Sequence, residues 1–204
     1  MKKYLFLVVV ITFTFQLNLY SQTAEDYFNK GKDDFYKGKY KIALEDYTKA
    51  IKLNPSYVDA YYYRGDAKSM LQDNKGAVLD YTKAINLNSN YAGIYFCRGN
   101  VKSRLKDHRG SIADYNKALE LNYSFAEGCY YNRGEEKIYL KDYNVAIEDF
   151  SSAIKLNPKS SEAYIERGWA KYVQLDDDGA CLDWSKAGEL GNEEAYNNIK
   201  KYCK

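Results

Sequence analysis

The chain has 204 residues, of which 46% are apolar and 28% charged. That balance fits a protein with a buried core and excludes a disordered tail or a membrane bundle. Lys and Arg number 30 against 28 Asp and Glu, an excess too small to grip phosphate, so nucleic acid is not expected as a partner.

The first segment reads as separate from the fold. Lys2 and Lys3 precede an apolar run from Tyr4 to Phe15, and the small residue Ser21 stands before Gln22. This order describes a secretory signal peptide over residues 1–21. The run is 12 residues long, short of the roughly 20 that cross a bilayer as a helix. Cleavage is therefore expected, after Ser21 or, as a second choice, after Ala24, with export to the periplasm or the extracellular space and no stable membrane insertion. Losing Lys2 and Lys3 leaves 28 cations against 28 acids. The first cysteine is Cys97, so none stands near the cleavage point to carry a lipid.

One unit then recurs five times. Gly31, Gly65, Gly99, Gly134 and Gly168 are spaced by 34, 34, 35 and 34 residues. Tyr47, Tyr81, Tyr115, Phe150 and Trp184 follow the same intervals, as do Ala50, Ala84, Ala118, Ala153 and Ala187. Ala43, Ala77, Ser111, Ala146 and Ala180 form a fourth series, and Tyr27, Tyr61, Tyr95, Tyr130 and Tyr164 a fifth. The extra residue of the 35-residue interval falls between Tyr123 and Glu127, in an expected loop, where insertion is tolerated.

Each unit predicts a pair of helices. Tyr27 and Gly31 are four apart, and Ala43, Tyr47 and Ala50 follow at four and three, the spacing of one helix face. Asp73, Asp107, Asp142 and Asp176 are placed to cap second helices. Asn54, Asn88, Asn122, Asn157 and Gly191 are expected to end them in the left-handed conformation, with Pro55 and Pro158 blocking continuation. A glycine inside a helix costs about 1 kcal/mol relative to Ala, so the glycine series implies close approach of two backbones beside the second-helix aromatics. One such pair cannot cover its own apolar face, so neighbours must stack.

These residues resemble the tetratricopeptide repeat, whose 34-residue signature runs from an aromatic through a glycine to two alanines, an aromatic and a proline. The resemblance implies an all-α, right-handed superhelical solenoid of antiparallel helix pairs. The expected divisions are repeats at 24–57, 58–91, 92–126, 127–160 and 161–192, then a cap helix at 193–204 with Ala195, Ile199 and Tyr202 on one face. One departure is systematic. Where the family has leucine before the glycine, this chain has Lys30, Arg64, Arg98, Arg133 and Arg167, and an acid precedes each second aromatic: Asp46, Asp80, Asp114, Asp149 and Asp183. A ladder of two-pronged charge pairs is expected, the alternative being arginines that grip an acidic ligand.

The resemblance also implies that first helices line a concave groove for a peptide or partner protein. Opposite the Tyr27/Gly31 stripe it would present Phe28, Lys32 and Phe35, then Tyr62, Asp66 and Ser69, then Phe96, Asn100 and Ser103. Tyr131, Glu135 and Ile138 follow, and last Ile165, Trp169 and Tyr172. Exposed aromatics of this kind mark binding surfaces; packing between neighbouring first helices is the competing reading. Phe28, Tyr62 and Phe96 stand where members that bind chaperone tails carry clamp lysines, so that ligand is not expected. The same face binding a second copy of the chain is the alternative function.

Catalysis, cofactors and metals are not expected. His108 is the only histidine, which removes histidine triads and multi-histidine metal sites, and it is read as solvated in a turn. Asp176-Asp177-Asp178-Gly179 lacks the alternation and closing glutamate of a calcium loop and reads as an acidic helix start. Cys181 and Cys203 are placed to bridge the last second helix to the cap, against the alternative of two free thiols. Cys97 and Cys129 are a weaker pair.

Overall fold

Apolar residues recurring at steps of three and four build eleven helices among the described residues, 22–203 of this computed structural model. The expected signal segment lies outside those residues. The helices are α1 Ala24–Tyr36, α2 Tyr40–Leu53, α3 Val58–Met70, α4 Asn74–Leu87, α5 Ala92–Arg104, α6 His108–Glu120, α7 Ala126–Tyr139, α8 Tyr143–Leu156, α9 Ser161–Val173, α10 Asp177–Glu189 and α11 Glu193–Tyr202. No described helix is long and apolar enough to cross a membrane.

Odd helices up to α9 are first helices and even ones second helices. Each first helix packs on its own second helix, and each second helix on the first helix of the next pair. Successive first helices also touch one another, whereas successive second helices make no comparable contact. First helices therefore lie on the inner side of the curve. The last helix, α11, packs on α10 in the place a sixth first helix would take.

Glycine explains how tightly each pair closes. A Cβ placed on Gly31, Gly65, Gly99 or Gly134 would come within 2.7–2.8 Å of the ring of Tyr47, Tyr81, Tyr115 or Phe150, and on Gly168 within 2.5 Å of Trp184. Those rings are buried, together with the alanines at Ala43, Ala50 and their equivalents. The aromatic of the second helix thus occupies the volume that the glycine leaves empty.

The caps follow the sequence in part. Asp73, Asp107 and Asp176 accept from the N–H groups of Gly76, Gly110 and Gly179. Asp142 accepts no such bond; where the other three have glycine three residues on, it has Val145, and it lies 3.5 Å from Lys137 Nζ instead. Only Asn122 and Gly191 of the five expected left-handed terminators have positive φ. Asn54 and Asn88 are extended, and Asn157 likewise has a negative φ, of -133°. They end their helices with the side chain, whose oxygen accepts from the N–H two residues on; this is an Asx turn. The other left-handed residues lie in the tight turn inside each pair, at Gly38, Gln72, Lys106, Lys141 and Leu175.

Candidate functional site: the inner face of the first helices

The inner face is held from below by a ladder. Arg64 donates Nε and Nη2 to the two carboxylate oxygens of Asp80 at 2.8 and 2.7 Å. Arg98 does the same to Asp114, Arg133 to Asp149 and Arg167 to Asp183. The third prong, Nη1, reaches back one pair to Thr48, Thr82, Asn116 and Ser151 respectively. Each guanidinium also lies 5.3–5.6 Å from the ring of the tyrosine three residues earlier: Tyr61, Tyr95, Tyr130 or Tyr164. Lys30 repeats the pairing with Asp46 at 2.8 Å but is 54% exposed, against 14% for Arg98. No second helix precedes α1 among the described residues to receive a third prong. These guanidinium groups are committed to the scaffold, so the reading of them as ligand grips does not apply.

The residue after each glycine stands above the second-helix aromatic. Tyr81 Oη donates to Asp66 at 2.6 Å and Tyr115 Oη to Asn100 at 2.8 Å, and Asn132 Nδ2 joins Asn100 at 2.8 Å. The equivalent hydroxyl of Tyr47, opposite Lys32, is buried without a partner. Phe150 has no hydroxyl for Glu135. Burial pushes the Asp66 carboxyl up to about 6. Burial, with Glu166 and Glu136 nearby, pushes Glu135 up to about 7.

The expected groove residues divide into three sets. Lys32, Phe35, Tyr62, Asp66, Phe96, Asn100, Tyr131 and Glu135 are half-buried on the inner face. Phe28 and Ile165 are buried and belong to the core, Phe28 among Tyr47, Tyr57 and Tyr63 and Ile165 beside Trp184. Trp169 and Tyr172 pack against Tyr202 of α11, with ring centroids 5.2 and 4.8 Å apart, so the cap occupies the last stretch of the groove. Cys181 and Cys203 are joined as a disulfide there, with Cα atoms 5.8 Å apart.

Three features escaped the sequence reading. His108 is not a solvated turn residue: its Nδ1 lies 2.6 Å from Glu136 Oε2 and its ring stacks on Tyr139 at 4.8 Å, tying α6 to α7. Cys97 does not approach a partner thiol; its Sγ lies 3.6 Å from Tyr62 Oη, and Cys129 is buried, with burial pushing both thiols up to about 12. A further series of rings closes the seams between pairs: Tyr57 on Phe28, Tyr91 on Tyr62 and Phe125 on Phe96, with centroids 5.0, 5.6 and 5.7 Å apart. Its period matches the others, but each partner is the ring of the preceding pair.

Between α5 and α7 the inner face opens into a cavity of about 320 Å³ lined by Asn100, Ser103, Arg104, Tyr115, Asn132, Glu135 and Glu136. A second, of about 250 Å³, lies beside Tyr131. Among the described residues no three His, Cys, Asp or Glu side chains gather as metal ligands would.

The family described as TPR repeat matches residues 31–72, and that described as Tetratricopeptide repeat matches 92–125 and 128–160. Comparison with curated proteins by sequence returns no match. Solved structures share the fold. YrrB, described as a TPR protein with an unusual peptide-binding site, superposes with a TM-score of 0.80 at 19% identity, over 93% of this chain and 97% of its own. MamA superposes at 0.77 and 22% identity, over 89% and 96%. PilF of Pseudomonas aeruginosa does so at 0.72 and 19%, over 83% and 77%. With the glycine, alanine and aromatic series all in their expected contacts, the chain is a solenoid of tetratricopeptide repeats.

Proposed function

We propose that the chain is a non-enzymatic scaffold that holds a peptide or a segment of a partner protein along the inner face of its first helices. One observation carries this reading. Asn100, Asn132 and Glu135 keep half-exposed polar groups at an open cavity while Tyr115 and the arginine ladder fix the helices beneath them. Amide side chains held in place suit a peptide backbone, which offers a donor and an acceptor at every residue. That YrrB, with the same fold, is described as having a peptide-binding site supports the reading.

Export supports the same picture: the basic and apolar start describes a signal peptide, and a Cys181–Cys203 bridge suits an oxidising compartment. The test is binding of a purified partner by titration calorimetry. Asn100→Ala with Asn132→Ala should weaken it at least tenfold with the helical circular dichroism unchanged; equal affinity would refute the groove. Light scattering separates the rival occupant, because a chain that dimerises through this face would double in mass and lose that mass in the same variant.

A further inference from the structure

The ring series that closes the seams stops at one place. Tyr57, Tyr91 and Phe125 each stand just before a first helix and cover the aromatic of the preceding pair, Phe28, Tyr62 and Phe96. The next two members should be a ring at position 160 laid on Tyr131. Position 160 is Ser160, the residue before α9. The ring is absent, and the space it would fill is the cavity of about 250 Å³ lined by Phe125, Glu127, Gly128, Tyr131, Asn132, Ser160 and Glu162. Tyr131 keeps its contact with Phe150 below, at 5.8 Å, and is open above.

The charges around the vacancy have one sign. Glu127 and Glu162 line it. They come from α7 and α9, the two first helices that flank the cavity. Arg133 and Arg167, on the same helices, are spent on Asp149 and Asp183, and neither they nor any lysine lines the cavity.

We propose that this vacancy is a socket for an aromatic side chain of the partner, flanked in its sequence by Lys or Arg. This rests on the groove reading above and names what the groove selects. The chain's own seams show the mode of seating: a ring laid on a ring with centroids 5.0–5.7 Å apart. Aromatic pairs in this range attract beyond their buried area, and a neighbouring cation gains from carboxylates that have no partner cation at the cavity.

The test is a random ten-residue peptide library displayed against the immobilised chain, repeated with Ser160→Tyr, which restores the missing ring. The parent should retain peptides enriched in an aromatic next to Lys or Arg. Ser160→Tyr should bind those peptides at least tenfold more weakly while melting at the same or a higher temperature, and Ser160→Ala should bind like the parent. Should Ser160→Tyr lose its helical signal, Tyr131→Ala decides in its place, with the same tenfold loss expected. Retained peptides without the aromatic and basic pair, or unweakened binding by the folded variant, would overturn the socket and leave the groove standing. A library from which nothing is retained overturns both.

Discussion

Removing the Arg98 guanidinium would strand a buried carboxylate, since Asp114 is 3% exposed and would keep only Lys102, at 2.8 Å. Breaking one side of a buried pair costs more than the pair itself contributes. Arg98→Leu is therefore expected to lower the unfolding free energy by about 3 kcal/mol in a urea titration. Arg98→Leu together with Asp114→Leu should cost less than the single change, because no carboxylate is left behind. A single variant as stable as the parent would show that the ladder carries no weight. The glycine, aromatic and cation series were legible in the sequence because the main contact of each lies inside one unit and recurs from unit to unit. Phe28 was misplaced onto the groove for the opposite reason. What covers Phe28 is Tyr57 and Tyr63 of the following pair, and a one-unit pattern does not show which neighbour leans over it.

At the level of the element, α11 does more than hide the end of the stack. Tyr202 lies against Trp169, Tyr172 and Trp184, and Cys203 follows it directly into the bond with Cys181. The bridge closes 22 residues, a loop whose closure stabilises by roughly 3 kcal/mol in the chain-entropy picture. Cys203→Ser should lower the melting temperature and red-shift the tryptophan emission as Tyr202 releases the two indoles. Reductant should do the same to the parent and nothing to the variant; a parent indifferent to reductant would exclude the bridge. The sequence placed the cap helix on Ala195, Ile199 and Tyr202 but did not show that Tyr202 reaches the inner face, because α11 has no repeat to be compared with. His108 likewise gave no sign of Glu136, 28 residues away and in another pair.

For the molecule as a whole, the inner face links stability to pH. Glu135 is raised from an ordinary 4.5 to about 7 and Asp66 from 3.8 to about 6, both first by burial. A carboxyl raised in the folded state binds its proton more readily there than in the unfolded chain. The stability it contributes is full below its ordinary value and is lost as pH rises through the raised one. The melting temperature should accordingly be higher at pH 5.5 than at pH 8, by a few degrees only, since half-exposed carboxyls are screened. Glu135→Gln should flatten that slope, and an unchanged slope would remove Glu135 as its source.

The backward-reaching prong of each arginine has a consequence for chain length. Thr48, Thr82, Asn116 and Ser151 differ in kind but all offer an oxygen at the same height. A cut just ahead of one unit and a rejoining just ahead of another would still bring a donor to an acceptor, so interior units are exchangeable parts. Growth or shortening by a whole unit of about 34 residues is thereby permitted at those joints. The last joint is different: α11 carries no arginine at the matching place to reach back to α10, and the Cys181–Cys203 bond closes that joint instead.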